Sequence, residues 1–162
     1  MSVSGRRVRQ ALRAHGVKIA ILAARWHDEL VSQMINSSIA EAKRCGIDDV
    51  TVVRVEGSGE LPFAAQVLAE SGEFDALVAI GLVMRGETVH FDTVLKRATE
   101  GLLQVSLKNS LPIADAVVAV ENTSQAKDRV GGPGSREDKG GEAMYAALDL
   151  ALLRRQYPPK KS

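Results

Sequence analysis

Four apolar runs of strand length, each separated from the next by a helix-length amphipathic stretch, leave this chain few ways to fold. They are residues 17–23 (VKIAILA), Val50–Val55 (VTVVRV), 76–83 (ALVAIGLV) and Ile113–Val120 (IADAVVAV). Short apolar or β-branched runs of this kind read as buried strands. Between them, residues 28–45, 61–70 and 91–109 carry apolar positions at helical spacing, and 139–156 is rich in Ala and Leu. Strands alternating with helices predict one α/β domain around a parallel sheet of roughly four strands. Punctuation agrees. Asp28 is the expected N-cap of the first helix and Gly46 its C′ residue, Pro62 suits a first helical turn, and Ser71-Gly72 closes the second helix. Asn122-Thr123 is expected to cap a short helix reaching Arg129 or Val130, and residues 131–135 are too dense in Gly and Pro for regular structure.

The chain has 162 residues, enough to bury about 70% of its unfolded surface in one domain. That domain is expected to span 1–162, with a basic arm over 1–16 and a tail over 157–162. A net charge of +1 offers no field for nucleic acid or a membrane. The one cysteine, Cys45, cannot form an internal disulfide, and His15, His27 and His90 are too scattered for a structural zinc. The N-terminal stretch is basic (Arg6, Arg7, Arg9, Arg13) without an apolar segment, so it is not a secretory signal, and a cytoplasmic location is expected. Its arginines suit a solvated or docking arm.

In an open parallel sheet, ligands bind in the crevice outside the strand C-termini. Three strand ends here carry unusual residues: Arg25-Trp26-His27, Gly57-Ser58-Gly59-Glu60, and the turn from Gly81 to Phe91. In the last, Arg85, Gly86 and Thr88 open a helix whose N–H groups and dipole suit an anion. His90 stands beside them, and an imidazole there suits proton transfer. The turn therefore reads as a phosphate site with a proton-transfer group. Trp26 would either cap the core edge or stack on a flat heterocycle, and Glu60 would charge a helix N-terminus or bind a ligand. Gly57-Ser58-Gly59 fails as a dinucleotide fingerprint because Pro62 stands where a third small residue is needed. Arg129 and Lys139 flank the glycine-rich loop, where ordinary solvated charge is an equal reading. Asp115 interrupts its strand near the start, at the end away from the other three groups, so a partner from another subunit is expected to meet it.

Ala79-Ile80-Gly81 running into Arg85-Gly86-Glu87-Thr88-Val89-His90-Phe91-Asp92, then Gln104-Val105-Ser106-Leu107 and Asp138-Lys139-Gly140, resemble the lumazine synthase family of riboflavin biosynthesis. The resemblance covers residues 17–153. It implies a flavodoxin-like three-layer sandwich and a homopentamer with active sites between subunits. It implies condensation of 5-amino-6-ribitylaminouracil with 3,4-dihydroxy-2-butanone 4-phosphate, without cofactor or metal, and riboflavin synthase as a further partner. Carried over, Trp26 would stack on the pyrimidine. Ser58, Gly59, Glu60 and the strand end Leu82-Val83-Met84 would hold ring and ribityl chain. Arg85, Gly86, Glu87 and Thr88 would cradle phosphate, and His90 would move protons. The neighbouring subunit would supply Arg129 to the phosphate, and Lys139 and Asp115 to the other substrate. The longer, Pro133-containing loop before the last helix matches the family's free pentamers rather than its shells. Three positions depart from the family pattern. Glu56 stands for a proline, Gly59 for a side chain that packs the ring site, and Asp115 for Phe or Asn. A diverged paralogue that binds flavin or lumazine, or only builds a pentamer, is the alternative reading.

Overall fold

The computed structural model describes residues 8–86 and 90–161. The elements, in chain order, are β1 (Ile19–Ala24), α1 (Asp28–Arg44), β2 (Val50–Val55), a 3₁₀ turn (Ser58–Glu60), α2 (Leu61–Ser71), β3 (Ala76–Met84), α3 (Phe91–Asn109), β4 (Ile113–Val120), α4 (Thr123–Lys127) and α5 (Lys139–Gln156). The sheet order is β2-β1-β3-β4, and every pairing is parallel. This is the expected α/β three-layer fold. β1 and β3 are central and buried along nearly their whole length, which is why they read as unbroken apolar runs. β4 is an edge strand that alternates buried and open positions: Ala114, Ala116, Val118 and Val120 are buried while Asp115 and Ala119 are exposed.

Two apolar layers hold the helices. On one side of the sheet, Ile19, Ile21, Val78 and Ile80 meet Val31 and Met34 of α1 and Met144 and Leu148 of α5. On the other, Ala20, Leu22, Leu77 and Ala79 meet Leu61 and Ala65 of α2 and Leu102 of α3. Alternate residues of the same central strands serve the two layers, as a period of two requires. No helix of the described residues is long and apolar enough to cross a membrane.

Several predicted boundaries shift by a residue or two: α1 ends at Arg44 rather than 45, and α2 at Ser71 rather than 70. β1 begins at Ile19 rather than residue 17, and β3 extends through Met84. The short helix α4 stops at Lys127, although Asn122 caps it as expected by accepting the Gln125 N–H at 2.9 Å. Asp28 is the first helical residue of α1, not its N-cap. His27 occupies the cap in the left-handed region, with φ 57° and ψ 47°. Asp28 is drawn instead into an ion pair with Arg54 of the neighbouring strand, at 2.8 Å. The expected C-terminal stop is present: Gly46 has φ 92°, a conformation that favours glycine.

Ser38 lies on the buried face of α1, and its hydroxyl has no hydrogen-bond partner among the described residues. An unpaired buried hydroxyl is costly, so Ser38→Ala is expected to stabilise the fold by about 1 kcal/mol. Thermal unfolding should shift up by roughly 2–4 °C for a chain of this size; an unchanged or lower midpoint would show that the hydroxyl is satisfied in solution.

Candidate active site

The strand order reverses direction between β1 and β3, the point where open α/β sheets form their ligand crevice. The loop after β1 enters that crevice. Arg25 N–H donates to the Val55 carbonyl at 2.8 Å, continuing the β1–β2 ladder past the strand end. Arg54 of β2 then pins the loop from the side. Its Nη2 donates to the Ala24 carbonyl and to Asp28 Oδ1, both at 2.8 Å. Between these anchors Trp26 projects with 63% of its surface exposed. It therefore does not cap the core. An apolar ring this open at a ligand crevice is suited to stacking.

The turn after β2 lies against the same indole. A Cβ built on Gly57 would stand 3.5 Å from Trp26 Cδ1 and 3.1 Å from Glu60 Oε2. The glycine thus leaves room for tryptophan and carboxylate to lie beside the backbone. Ser58 is buried and packs over Gly81 of β3, at a place where a Cβ would collide with its hydroxyl. That contact locks the second turn onto the third strand, and so onto the strand end Leu82-Val83-Met84. Leu82 and Val83 are buried and Met84 half-buried, so what they can offer a ligand at this edge is mainly main chain. Glu56 is not a bare charge near the crevice, since Arg25 pairs with it at 3.6 Å in an exposed ion pair.

After β3, Arg85 is exposed. Its Nε donates to Glu121 Oε1 at 2.9 Å, and its guanidinium lies 4.5 Å from the centre of the Phe91 ring. Glu121 raises the guanidinium pKa further, keeping the charge fixed. Gly86 turns the chain with φ 88°. Glu87 and Thr88, assigned to phosphate by the sequence, lie outside the described residues. His90 is the N-cap of α3; its carbonyl accepts the Val94 N–H at 2.9 Å, while its exposed side chain makes no capping bond.

Arg129 and Lys139 come together beyond α4. Arg129 Nη1 donates to the Gln125 carbonyl at 2.8 Å, and its Nε lies 3.8 Å from Glu137. Lys139 Nζ reaches the same Glu137 at 3.6 Å and Glu142 at 3.2 Å. Asp138 caps α5 by accepting the Gly141 N–H at 2.9 Å. The two cations are therefore a braced pair rather than separate solvated charges. Sequence reasoning missed the residues that position the site: Arg54, Glu121 and Glu137. Arg54 alone had a visible signal, a charge inside the β-branched run VTVVRV.

Asp115 lies at the early end of β4, paired in register with Ala79 and away from the crevice formed by its own subunit. Its Oδ1 accepts the Val117 N–H at 2.7 Å. Surrounding protein desolvates the carboxyl and raises its pKa, although part of the residue remains open to solvent; the Val117 bond offsets this only partly. A raised carboxyl pKa means the folded subunit holds the proton longer than the unfolded chain. Asp115 therefore favours folding at acid pH, and that contribution is lost as pH climbs through the folded pKa. Asp115→Asn should remove this pH dependence and keep the Val117 bond. An ionised carboxylate only accepts hydrogen bonds whereas Asn also donates. If Asp115 faces a uracil-type ligand across an interface between subunits, the same variant should tighten its binding, because that ligand's amide edges do both. Weaker binding by titration would mean that Asp115 serves another ligand or lies elsewhere.

One edge of the α/β sheet thus carries an exposed tryptophan, a carboxylate-bearing turn and an arginine ahead of a helix. Residues 16–155 match the family model for 6,7-dimethyl-8-ribityllumazine synthase. Proteins of that name are similar over most of the chain. The one from Mycobacteroides abscessus is 48% identical over 147 residues, covering 90% of this chain and 91% of its own. That of Thermobifida fusca is 44% identical over 143 residues, covering 88% and 83%. That of Renibacterium salmoninarum is 42% identical over 161 residues, covering 96% and 100%. The chain belongs to the 6,7-dimethyl-8-ribityllumazine synthase family, enzymes of riboflavin biosynthesis.

Proposed function

We propose that this chain condenses 5-amino-6-ribitylaminouracil with 3,4-dihydroxy-2-butanone 4-phosphate, releasing phosphate and water and forming 6,7-dimethyl-8-ribityllumazine. The observation that carries the reading is the exposed Trp26 beside the Gly57–Glu60 turn, itself packed on β3. A pyrimidine stacked on Trp26 would present its amide edge to Glu60 and its ribityl chain along the turn. The phosphate of the second substrate would take Gly86, Glu87 and Thr88, ahead of α3. The amine attacks the ketone carbonyl and water leaves to give an imine. Phosphate is then eliminated, and ring closure follows with loss of a second water. His90 would carry protons for these steps. Arg85, already held by Glu121, would supply fixed positive charge beside the phosphate rather than wrap it.

The reading includes a homopentamer with shared sites, acting in the cytoplasm, with riboflavin synthase downstream. Unpartnered apolar surface supports assembly. Phe63 is 77% exposed, Leu103 59% and Leu107 72%. They lie on α2 and α3, the layer packed on the sheet face that carries Asp115 and Val117. A ring of identical subunits repeats one heterologous interface, so each site draws from both sides. Asp115, Arg129 and Lys139 would then serve the neighbour's pocket.

Incubation with both substrates should give a product with lumazine absorbance and fluorescence; no product would overturn the reading. Sharing is tested by mixing. A Trp26→Ala/His90→Ala variant and an Arg129→Ala variant are unfolded, combined equally and reassembled. Random assortment makes roughly a quarter of interfaces intact, so activity should rise above both separately refolded parents towards that fraction. Mixed rings no more active than their parents would place all three residues in one subunit's pocket.

A further inference from the structure

We infer that Arg97 of α3 is a further substrate-binding residue, taking over the place of the side chain that Gly59 lacks and donating to the ribitylamino-pyrimidine. The inference rests on the reading above and names a contact that reading does not contain.

The geometry begins one turn further along α3. Gly101 faces Pro62 so closely that a Cβ on Gly101 would overlap the pyrrolidine ring, at 2.6 Å from Cγ and 2.7 Å from Cβ. The start of α2 and the middle of α3 are therefore in direct contact. Arg97 precedes Gly101 by four residues and so lies one turn, about 5.4 Å, nearer the helix entrance on the same face. Gly59 precedes Pro62 by three. The two offsets meet: a Cβ on Gly59 would stand 3.8 Å from Arg97 Cδ and 3.9 Å from its Nε. The stem of Arg97 thus covers the bare Cα of Gly59.

On the other flank of the same turn, Trp26 and Glu60 crowd Gly57, and Gly57 and Gly59 are two residues apart, at most about 7 Å between Cα atoms. The turn is bordered by an aromatic face and a carboxylate on one flank and by a guanidinium on the other. Arg97 is exposed, and among the described residues it makes no hydrogen bond or ion pair. A guanidinium offers up to five donors and no acceptor. Glu60 accepts, so the pair complements a ring with both donor and acceptor edges and a chain of hydroxyls. The phosphate is the poorer match, because Arg97 lies six residues into α3, roughly 9 Å along the axis from its first residue.

Trp26 is the only tryptophan, so its fluorescence reports this turn directly. The wild type, Arg97→Ala and Arg97→Lys are titrated with an unreactive ribitylaminouracil carrying a nitro group in place of the 5-amine. Steady-state rates are measured with each true substrate varied in turn. Arg97→Ala should raise Kd for the nitro compound, and KM for the aminopyrimidine, about tenfold, equivalent to 1.4 kcal/mol. Arg97→Lys should recover part of that loss. KM for the butanone phosphate and kcat should stay within about twofold, since a cationic donor lost from one substrate's site leaves the other untouched. A bulky Gly59→Leu should displace Arg97, and in that background Arg97→Ala should cost little further, a coupling that a merely structural arginine would not show. Equal pyrimidine affinity in wild type and Arg97→Ala, with the wild type turning over, overturns the inference and leaves the proposed reaction standing. A rise confined to the butanone phosphate would make Arg97 a phosphate ligand and overturn it too. A wild type that neither binds the nitro compound nor forms product removes both.

Discussion

His90→Ala is expected to lower kcat by about 10²-fold while leaving phosphate affinity unchanged. General acid–base help from one positioned side chain is bounded at about that scale, and the lower end applies because an amine and a ketone condense readily without an enzyme. The argument is positional. His90 directly precedes α3 and caps it through its main-chain carbonyl, with no side-chain capping bond. Removing the side chain leaves the Val94-to-His90 carbonyl bond intact, so the N–H groups of the helix entrance keep their places. The check is a pH–rate profile beside a phosphate titration. The variant's profile should lose a limb that the wild type shows. Identical profiles in wild type and variant would remove His90 from proton transfer.

Gly140→Ala should be the most damaging single methyl group in the chain. Gly140 is buried near the start of α5, against the backbone of α1. A Cβ there would collide with the Met34 carbonyl oxygen and stand 3.1 Å from its carbon and 3.2 Å from its Cα. A flexible side chain could swing away; the middle of a seventeen-residue helix cannot. Overpacking of this kind costs about 1–3 kcal/mol and sometimes more, and a backbone clash belongs at the upper end. Urea unfolding should show the midpoint fall with its slope preserved. Activity should fall as well, because Lys139 is the adjacent residue and shares Glu137 with Arg129. An unchanged urea midpoint would mean that α1 and α5 slide apart at no cost.

The four parallel strands and the helices between them follow from patterning that any reader of the chain can see. β1 and β3 are apolar throughout because both faces are covered, and β4 alternates because one face lies under α5 while the other is partly open. Periodicity records burial directly, so the sequence determined α3, β4 and α5 to the residue. It also determined the edge at which Trp26, the Gly57–Glu60 turn and His90 gather, because parallel strands put all their C-termini together.

The sequence was silent wherever a local preference lost to a distant partner. Asp28 has the chemistry of an N-cap, yet Arg54, 26 residues away, holds its carboxylate, and His27 takes the cap in a left-handed conformation. Arg85 reads from its neighbours in the chain as a cation with no partner of its own, whereas Glu121 of the next strand end pairs with it at 2.9 Å. Arg129 and Lys139 look like unrelated surface charges until Glu137 joins them. Gly59 reads as a missing side chain, and only the contact between Gly101 and Pro62 brings Arg97 to the gap. The physical reason is common to all four. Hydrophobic period is a local property written every two or three residues, whereas an ion pair or a close approach depends on two segments whose separation is fixed only after the layers have packed.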